Sequence, residues 1–205
     1  MSAVSEWIAR EYFEHHGYFV SQPRKYTPWK IKKADEEGDL VVFNPRVREN
    51  LLPESPLWNG ASLTGIRQAV IGVRGWHTER ISATMIEKVP DFLRFAQPDA
   101  IRRAAERVGN ENIARIICLP QLPASPQLKL QALEALKKRG IDGILTFRTM
   151  IIELVDGIDK NQNYDKSDLL QVLRILKSYD LFKDDNQREL FQHRRTRRAR
   201  VLQAP

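Results

Sequence analysis

Carboxylates gather just before one apolar run of the chain. Asp39 follows Gly38 and heads the β-prone run 40–43, and Glu36 and Glu37 lie shortly before it. An acid at the entrance of a buried strand can be a ligand of a divalent metal ion, since hard cations prefer carboxylate oxygens. The pattern is also typical of a turn, because Gly-Asp commonly leads into a strand. The sequence therefore offers Asp39 as a candidate metal ligand.

A cationic and aromatic cluster follows a second apolar run, 69–73. Arg74, Trp76 and His77 come after it, as expected of a buried strand whose last residues emerge into a cleft. A guanidinium holds phosphate by two parallel hydrogen bonds, and an imidazole titrates near neutral pH and can act as base or ligand. A histidine beside a tryptophan can equally be a hydrogen-bonded structural residue. We expect this cluster to contact a phosphate group.

The first element that must support these strands is a helix over 4–16, ended by Gly17. Glu6 falls in its first turn, where a carboxylate is favoured by the helix dipole. Glu11 falls within the apolar stripe and must be paired or reach the helix edge, which makes it a second candidate acid. Helical spacing gives that stripe four apolar members, Val4, Trp7, Ile8 and Tyr12.

Strands and helices alternate along the rest of the chain. Pro98 opens a helix that Gly109 closes, and the pair Ser125-Pro126 begins another. The segment 44–67 is rich in Pro, Asn, Gly and charge, which is consistent with a long hairpin connection. Such alternation predicts a mixed or parallel α/β layer. The predicted strands are 18–20, 40–43, 69–73, 113–119 and 141–145, and the later helices are 98–108, 125–138, 146–156 and one capped by Ser167.

Composition bounds the class of protein. The 205 residues are 42% hydrophobic and 29% charged, which is ordinary for a globular chain that buries a core without disulfides or metals. No apolar run of about 18 residues exists to span a membrane. The N-terminus lacks the basic and apolar pattern of a signal peptide, which predicts a cytoplasmic protein. Cys118 lies in the apolar run 116–119 and is expected to be a buried, inert thiol.

The balance of charge favours a polyanionic partner such as nucleic acid, because the net charge is +7 and the pI is about 9.6. Arg24 and Lys25 lie in a loop broken by prolines, beside Tyr26 and Trp29, which offer stacking faces. A C-terminal run of arginines predicts a tail that contacts phosphates or only solubilises the chain. Its members include Arg194, Arg195, Arg197 and Arg198.

The order of these features resembles the PD-(D/E)XK nuclease superfamily, and more narrowly its Holliday junction resolvase and Mrr-type restriction endonuclease branches. Glu6 precedes the pair Gly17-Tyr18 by about three helical turns, Asp39 heads a strand, and a third strand ends in the frame 72–76. The resemblance covers roughly the first 120 residues as a pattern of elements. It implies a restriction endonuclease-like α-β-β-β-α-β core, with a mixed central sheet flanked by helices, followed by C-terminal helices.

The resemblance also implies a site. In the family an early glutamate, the strand aspartate and a third-strand acid and lysine hold Mg²⁺ or Mn²⁺ and activate water for phosphodiester hydrolysis. Glu6 and Asp39 match the first two positions. Gly72 stands where the third-strand acid belongs, and Arg74 stands where the lysine belongs. Guanidinium is a poor base but a good phosphate ligand, so the frame departs from the catalytic pattern at both positions.

Other side chains could replace the missing groups. Glu6, Glu11, Glu37 or Glu79 could supply the metal ligand, and His77 could act as the base. With them, the chain is a divalent-metal-dependent nuclease acting on DNA. Without them, it is a catalytically inactive nuclease-like module that binds nucleic acid, with Arg74 and Trp76 in contact, or scaffolds a larger assembly. A third hypothesis is an interaction protein, a homodimer or one whose helix 167–179 docks a partner. We expect a nuclease-like α/β domain over 1–158, a helical extension over 159–192 and a basic flexible tail over 193–205.

Overall fold

The computed structural model of this chain describes residues 3–22 and 39–182. The chain forms two compact units, Met1–Asp156 and Gly157–Pro205. The first unit holds the five-stranded sheet, Asp39 and the cluster of Arg74, Trp76 and His77. Its fold therefore positions the candidate site.

Five strands form one mixed sheet. They are β1 Phe19–Ser21, β2 Asp39–Phe43, β3 Gln68–Val73, β4 Ala114–Leu119 and β5 Gly143–Thr146. Their order is β1-β2-β3-β4-β5, with antiparallel pairing from β1 to β3 and parallel pairing from β3 to β5. A parallel pair needs a crossover connection, usually helical, and helices follow β3 and β4 accordingly. The predicted mixed α/β layer is confirmed.

Helices begin and end where local capping predicts. Asn59 and Ser82 each accept a hydrogen bond at a helix N-terminus, and Gly109 ends a helix with a left-handed φ of 71°. A 3₁₀ segment, Pro90–Ala96, contains a kink at Leu93. The helices are α1 Ala3–His15, α2 Gly60–Leu63, α3 Ala83–Lys88, α4 Pro98–Val108, α5 Pro126–Lys138, α6 Phe147–Gly157 and α7 Asp168–Ser178.

The centre of the sheet is covered on both faces. All six residues of β3 are buried, which is typical of a central strand between two helical layers. One face packs against α3, α4, α5 and the 3₁₀ segment through Val70, Ile117 and Ile144. The alternate residues of the same strands point to the other face, since side chains alternate along a strand. On that side α1 and α6 meet through Tyr12 and Glu153.

The buried face of α1 differs from the predicted stripe. Ile8 and Tyr12 are buried as predicted, but Val4 and Trp7 are 52% and 53% exposed. The reason is a close approach of the helix to the loop after β3, where a Cβ on Gly75 would overlap the hydroxyl of Ser5. A small residue must face that loop, which rotates the helix. The buried face is therefore Ser5, Ile8, Ala9, Tyr12 and Phe13.

The connection 44–67 joins two antiparallel strands as predicted, and its middle also extends the sheet. Leu57 forms an isolated parallel bridge with Ile144 of β5. The N–H of Trp58 donates to the carbonyl of Ile144 at 2.9 Å, and the N–H of Ile144 donates to the carbonyl of Pro56 at 2.8 Å. The ring of Trp58 lies over Gly143, where a Cβ would overlap it. These contacts protect the β5 edge of the sheet.

The second unit contains the helix α7 in its described part. Ser167 caps it as predicted, because its side chain accepts a hydrogen bond from the N–H of Leu170 at 3.2 Å. Lys160 and Asp180 form an ion pair at 2.8 Å within this unit. Ser125, in contrast, makes no side-chain cap at α5, and that helix begins at Pro126 without it.

Cys118 is buried, as its apolar surroundings predict. It is free and fully buried in β4, and burial raises the pKa of the thiol well above its usual value. Only the thiolate is reactive, so we expect the native chain to resist the thiol reagent DTNB. The single thiol should react once guanidinium chloride unfolds the protein. Rapid reaction of the native chain would contradict this burial.

Candidate functional site

The register of β2 and β3 places the predicted aspartate beside the third-strand frame. Asp39 is the first residue of β2 and pairs with Gly72 of β3. Arg74 follows the end of β3, and its backbone N–H donates to the carbonyl of Cys118 on β4 at 3.0 Å. These residues lie at the carboxyl edge of the parallel strands, where ligands of α/β sheets bind.

Position 72 has no room for a side chain. A Cβ built on Gly72 would overlap the ring of Phe95 in the 3₁₀ segment. Phe95 is fully buried and belongs to the core that covers this face of the sheet. Because protein interiors are packed as densely as organic crystals, an acid at position 72 would require the ring to leave. An aromatic side chain therefore fills the space in which the resemblance places a metal ligand.

Arg74 lies in the interior and not in the predicted cleft, with 4% of its surface exposed. Its Nε donates to the carbonyl of Phe92 at 2.7 Å, and Nη1 donates to that of Val73 at 3.0 Å. The guanidinium carbon lies 5.4 Å from the centroid of the Phe95 ring, within the range of a cation–π contact. A buried cation needs such partners, because desolvating an unpaired charge is costly. These contacts tie the 3₁₀ segment to the end of β3.

Trp76 and His77 hold the loop after β3 against its neighbours. The ring centroid of the half-buried Trp76 lies 5.7 Å from that of Phe92. His77 is exposed, its Nε2 lies 2.9 Å from Oγ of Ser5, and its ring meets Phe147 edge-on at 4.8 Å. Serine beside histidine is a pair used in covalent catalysis, but Ser5 is fully buried and its hydroxyl is closed to a substrate. The pair therefore joins α1 to this loop.

The predicted acids do not all lie on one element: Glu6 and Glu11 lie on α1, Asp39 on β2 and Glu79 in the loop after β3. Glu6, in the first turn of α1, accepts a hydrogen bond from Nε2 of Gln22 at 2.7 Å. Glu11 is half-buried on the same helix, and Glu79 is exposed beyond β3. Among the residues that the structure describes, no three His, Cys, Asp or Glu side chains form a group that could hold a metal ion. The expected Mg²⁺ or Mn²⁺ has no assembled ligand set in that part of the chain.

Apart from Arg74, the basic residues predicted to bind nucleic acid lie outside the described residues. Glu36 and Glu37, the acids close to Asp39, lie there too. The basic residues are Arg24, Lys25, Arg194, Arg195, Arg197 and Arg198. Their contact with phosphate stays a prediction.

A polar cluster that the motifs did not indicate links α1, α2 and α6. The hydroxyl of the fully buried Tyr12 donates to Oε2 of Glu153 at 2.5 Å. The N–H of Gly60 donates to the same oxygen at 3.0 Å, and Nε2 of His16 lies 3.9 Å from it. Burial, and next the hydrogen bond to Glu153, raise the pKa of Tyr12 well above its usual value. The phenol therefore stays protonated and holds the carboxylate in place.

Replacing Tyr12 with phenylalanine is expected to lower the free energy of unfolding by about 1–3 kcal/mol, because Glu153 loses a donor while the ring volume is kept. Urea denaturation followed by circular dichroism measures the change. Tyr179→Phe is the matched control. Because Tyr179 is 75% exposed, the free energy of unfolding of this variant should not change. Equal stability of the two variants would contradict the structural role of the Tyr12 phenol.

The fold and the site geometry define the class of this protein as an α/β protein with a mixed five-stranded sheet flanked by helices. A scan against protein-family models, a search of curated proteins and a search of solved structures each returned no match. Within the described ranges, no helix is long and apolar enough to cross a membrane. Function must therefore be argued from the site itself.

Proposed function

We propose that this chain is a catalytically inactive nuclease-like module that binds nucleic acid. The observation that carries the proposal is the packing at the end of β3. Phe95 fills the space beside Gly72, and the backbone carbonyls of Phe92 and Val73 accept hydrogen bonds from the Arg74 guanidinium. Hydrolysis of a phosphodiester by the family's chemistry needs a metal-holding acid and a water-activating group at these two positions. Here Gly72 and Arg74 occupy these positions, and both pack in the core instead.

The order of elements supports the nuclease-like part of the proposal. Helix α1, the antiparallel strands β1 to β3, helical segments ending in α4, and the parallel strand β4 follow one another along the chain. This is the order of the α-β-β-β-α-β core that the resemblance implies. A shared metal ion requires the strand aspartate and the third-strand acid to lie side by side, and Asp39 pairs with Gly72. We therefore infer a restriction endonuclease-like core with a degenerate site.

An exposed aromatic surface on the outer strands supports the nucleic-acid part. Phe19 is 71% exposed and pairs with Phe43 across β1 and β2. Arg107 lines the same cavity of about 310 Å³ as these two rings. The guanidinium carbon of Arg67 lies 4.9 Å from the centroid of the Phe43 ring. Because unpaired bases stack on exposed rings and guanidinium groups bind phosphates, this Phe19–Phe43 surface suits single-stranded nucleic acid.

The distribution of charge favours the same partner. The excess of Lys and Arg that gives the net charge of +7 is concentrated in the segments 23–38 and 183–205. The first of these comes two residues after β1, and Arg24 and Lys25 follow Phe19 by five and six positions along the chain. Cations beside a stacking surface raise the affinity for a polyanion through release of its counterions.

Fluorescence anisotropy with labelled single-stranded DNA, duplex DNA and single-stranded RNA tests the proposal. We expect binding that weakens steadily with salt and that does not change when EDTA is added. Phe19→Ala should weaken single-strand binding by about fivefold or more, since stacking of one base is worth about 1–3 kcal/mol. Leu52→Ala is the matched control, because Leu52 is a 53% exposed apolar side chain that does not line the cavity beside Phe19 and Phe43. Glutamine at the arginines of 194–198 should reduce the salt dependence.

Two results would overturn parts of this proposal. Cleavage of a nucleic acid with Mg²⁺ or Mn²⁺ that Asp39→Ala abolishes would overturn the inactive state and establish the nuclease hypothesis. Failure to bind any of the three nucleic acids at low salt would overturn the binding part. A stable homodimer or a co-purifying protein partner would then favour the interaction hypothesis.

A further inference from the structure

Two arginines form a row on the surface of α4. Arg103 and Arg107 are four residues apart in this helix, and both side chains are exposed. Residues at this spacing lie one above the other on the same side of a helix, with their Cβ atoms roughly 5–6 Å apart. The residue before Arg103 is turned away from this Arg103–Arg107 row by about 100°. It is Arg102, and it forms an ion pair with Asp99 at 2.9 Å.

The helix itself does not need the charge of the Arg103–Arg107 row. Among the residues that the structure describes, no ion pair includes Arg103 or Arg107. Arg107 lies in the last turn, where the helix dipole favours a cation, but that effect falls off within the last turn and does not account for Arg103. Like charges four residues apart repel and destabilise a helix. A polyanion bound along the row would remove this repulsion.

The Arg103–Arg107 row runs beside β1. Arg107 lines the cavity of about 310 Å³ that Phe19 and Ser21 line from β1. Since α4 lies in the crossover between the parallel strands β3 and β4, it runs back against β3 and therefore against β1. Four residues of helix advance by roughly 6 Å and two residues of strand by roughly 7 Å. The step from Arg107 to Arg103 therefore follows the step from Phe19 to Ser21.

We propose that a single strand of nucleic acid lies between β1 and α4, with two successive phosphates on Arg107 and Arg103 and a base stacked on Phe19. This inference rests on the proposed function and names the form of nucleic acid and its phosphate contacts. The ring of Phe19 is 71% exposed, so its face is open to a base. Each guanidinium can hold a phosphate by two parallel hydrogen bonds. The exposed hydroxyl of Ser21 adds a neutral donor beside them.

Other polyanions satisfy only part of this arrangement. A duplex keeps its bases paired and stacked on one another, so it offers phosphates to the Arg103–Arg107 row but no free base to Phe19. An acidic peptide likewise supplies anions without a base. An unpaired strand supplies a phosphate at every nucleotide and a flat base beside it, and it therefore occupies both the cationic row and the aromatic ring.

The salt dependence of binding to oligothymidylate tests the phosphate contacts. Fluorescence anisotropy at several salt concentrations gives the slope of log K against log salt, to which each phosphate contact on a single strand contributes about 0.7. Arg103→Ala and Arg107→Ala should each reduce the slope by about 0.7, and the double variant by about 1.4. Arg102→Ala is the matched control, because this cation of the same helix is paired with Asp99, and it should keep the slope of the native chain. Thermal melts followed by circular dichroism establish that every variant is folded.

An oligomer of the same length with abasic residues separates the phosphate contacts from base stacking. We expect Arg103→Ala and Arg107→Ala to reduce the slope equally on both oligomers, and Phe19→Ala to weaken binding of oligothymidylate alone. Unchanged slopes in both arginine variants, with binding that still depends on Phe19, would overturn this inference and leave the proposed function intact. Polyglutamate that displaces oligothymidylate as well as unlabelled oligothymidylate does would indicate an acidic peptide and overturn the inference. No binding of oligothymidylate or of any other nucleic acid by the native chain would overturn the proposed function as well.

Discussion

Arg74→Ala is expected to lower the free energy of unfolding by roughly 3–5 kcal/mol. The substitution removes charged donors from the carbonyls of Phe92 and Val73 and leaves a hole beside Phe95. A hydrogen bond to a charged group contributes about 1.5–3 kcal/mol, and a buried acceptor left without a donor costs a similar amount. Urea denaturation followed by circular dichroism measures the loss.

Two further variants separate the structural role of Arg74 from a role in binding phosphate. Arg80→Ala is the matched control, because Arg80 is exposed in the loop after β3. The free energy of unfolding of this variant should change by less than about 0.5 kcal/mol. The loss of unfolding free energy in Arg74→Lys should lie between those of Arg74→Ala and Arg80→Ala. An ammonium donates from one point and cannot reproduce the guanidinium fork. A phosphate ligand would behave in the opposite way: Arg74→Ala would keep its stability and lose affinity for nucleic acid.

Local signals predict most elements of this fold. Pro98 and Gly109 bound α4 as expected, and Ser167 caps α7. Such features depend on residues within one helical turn, so residue types along the chain carry the information. The alternation of strands and helices likewise predicts the mixed sheet, because it follows from the period of the apolar residues.

Contacts between distant segments limit what the sequence predicts about the rotation of elements. Trp7 is apolar yet 53% exposed, whereas Ser5 is polar and fully buried. Ser5 faces the loop after β3, where it packs against Gly75 and hydrogen-bonds His77, 72 positions away. The pattern of apolar residues within the helix carries no information about a contact with so distant a segment.

At the candidate site, too, contacts between distant segments limit what the sequence predicts. A motif aligned with a family indicates which groups are missing at Gly72 and Arg74, but not which groups replace them. The replacement comes from the 3₁₀ segment, whose Phe92 carbonyl lies 18 positions from Arg74. The link between Tyr12 and Glu153 spans 141 positions. The one sequence feature that could have indicated this link is the single acid, Glu153, in the apolar run 150–155. A carboxylate among apolar residues needs a partner.

Gly72→Ala is expected to lower the free energy of unfolding by about 1–3 kcal/mol, because the added methyl would overlap the Phe95 ring and overpacking strains its surroundings. This loss exceeds the roughly 0.4–1 kcal/mol that Gly→Ala gains through the unfolded state. Phe95→Leu alone also destabilises the chain, since it leaves a hole in the core. The double variant should be more stable than the sum of the two losses predicts, with a coupling of about 0.5–3 kcal/mol.

Phe92→Leu provides the matched cycle for the same urea measurements. Phe92 lies in the same 3₁₀ segment and is 1% exposed, but the atoms nearest to a Cβ at position 72 all belong to Phe95. Gly72→Ala and Phe92→Leu should therefore add without coupling. Additivity in both cycles would mean that position 72 can take a side chain, and the nuclease hypothesis would regain a place for its acid. Coupling confined to Phe95 would mean that core packing excludes an acid there, as the inactive module requires.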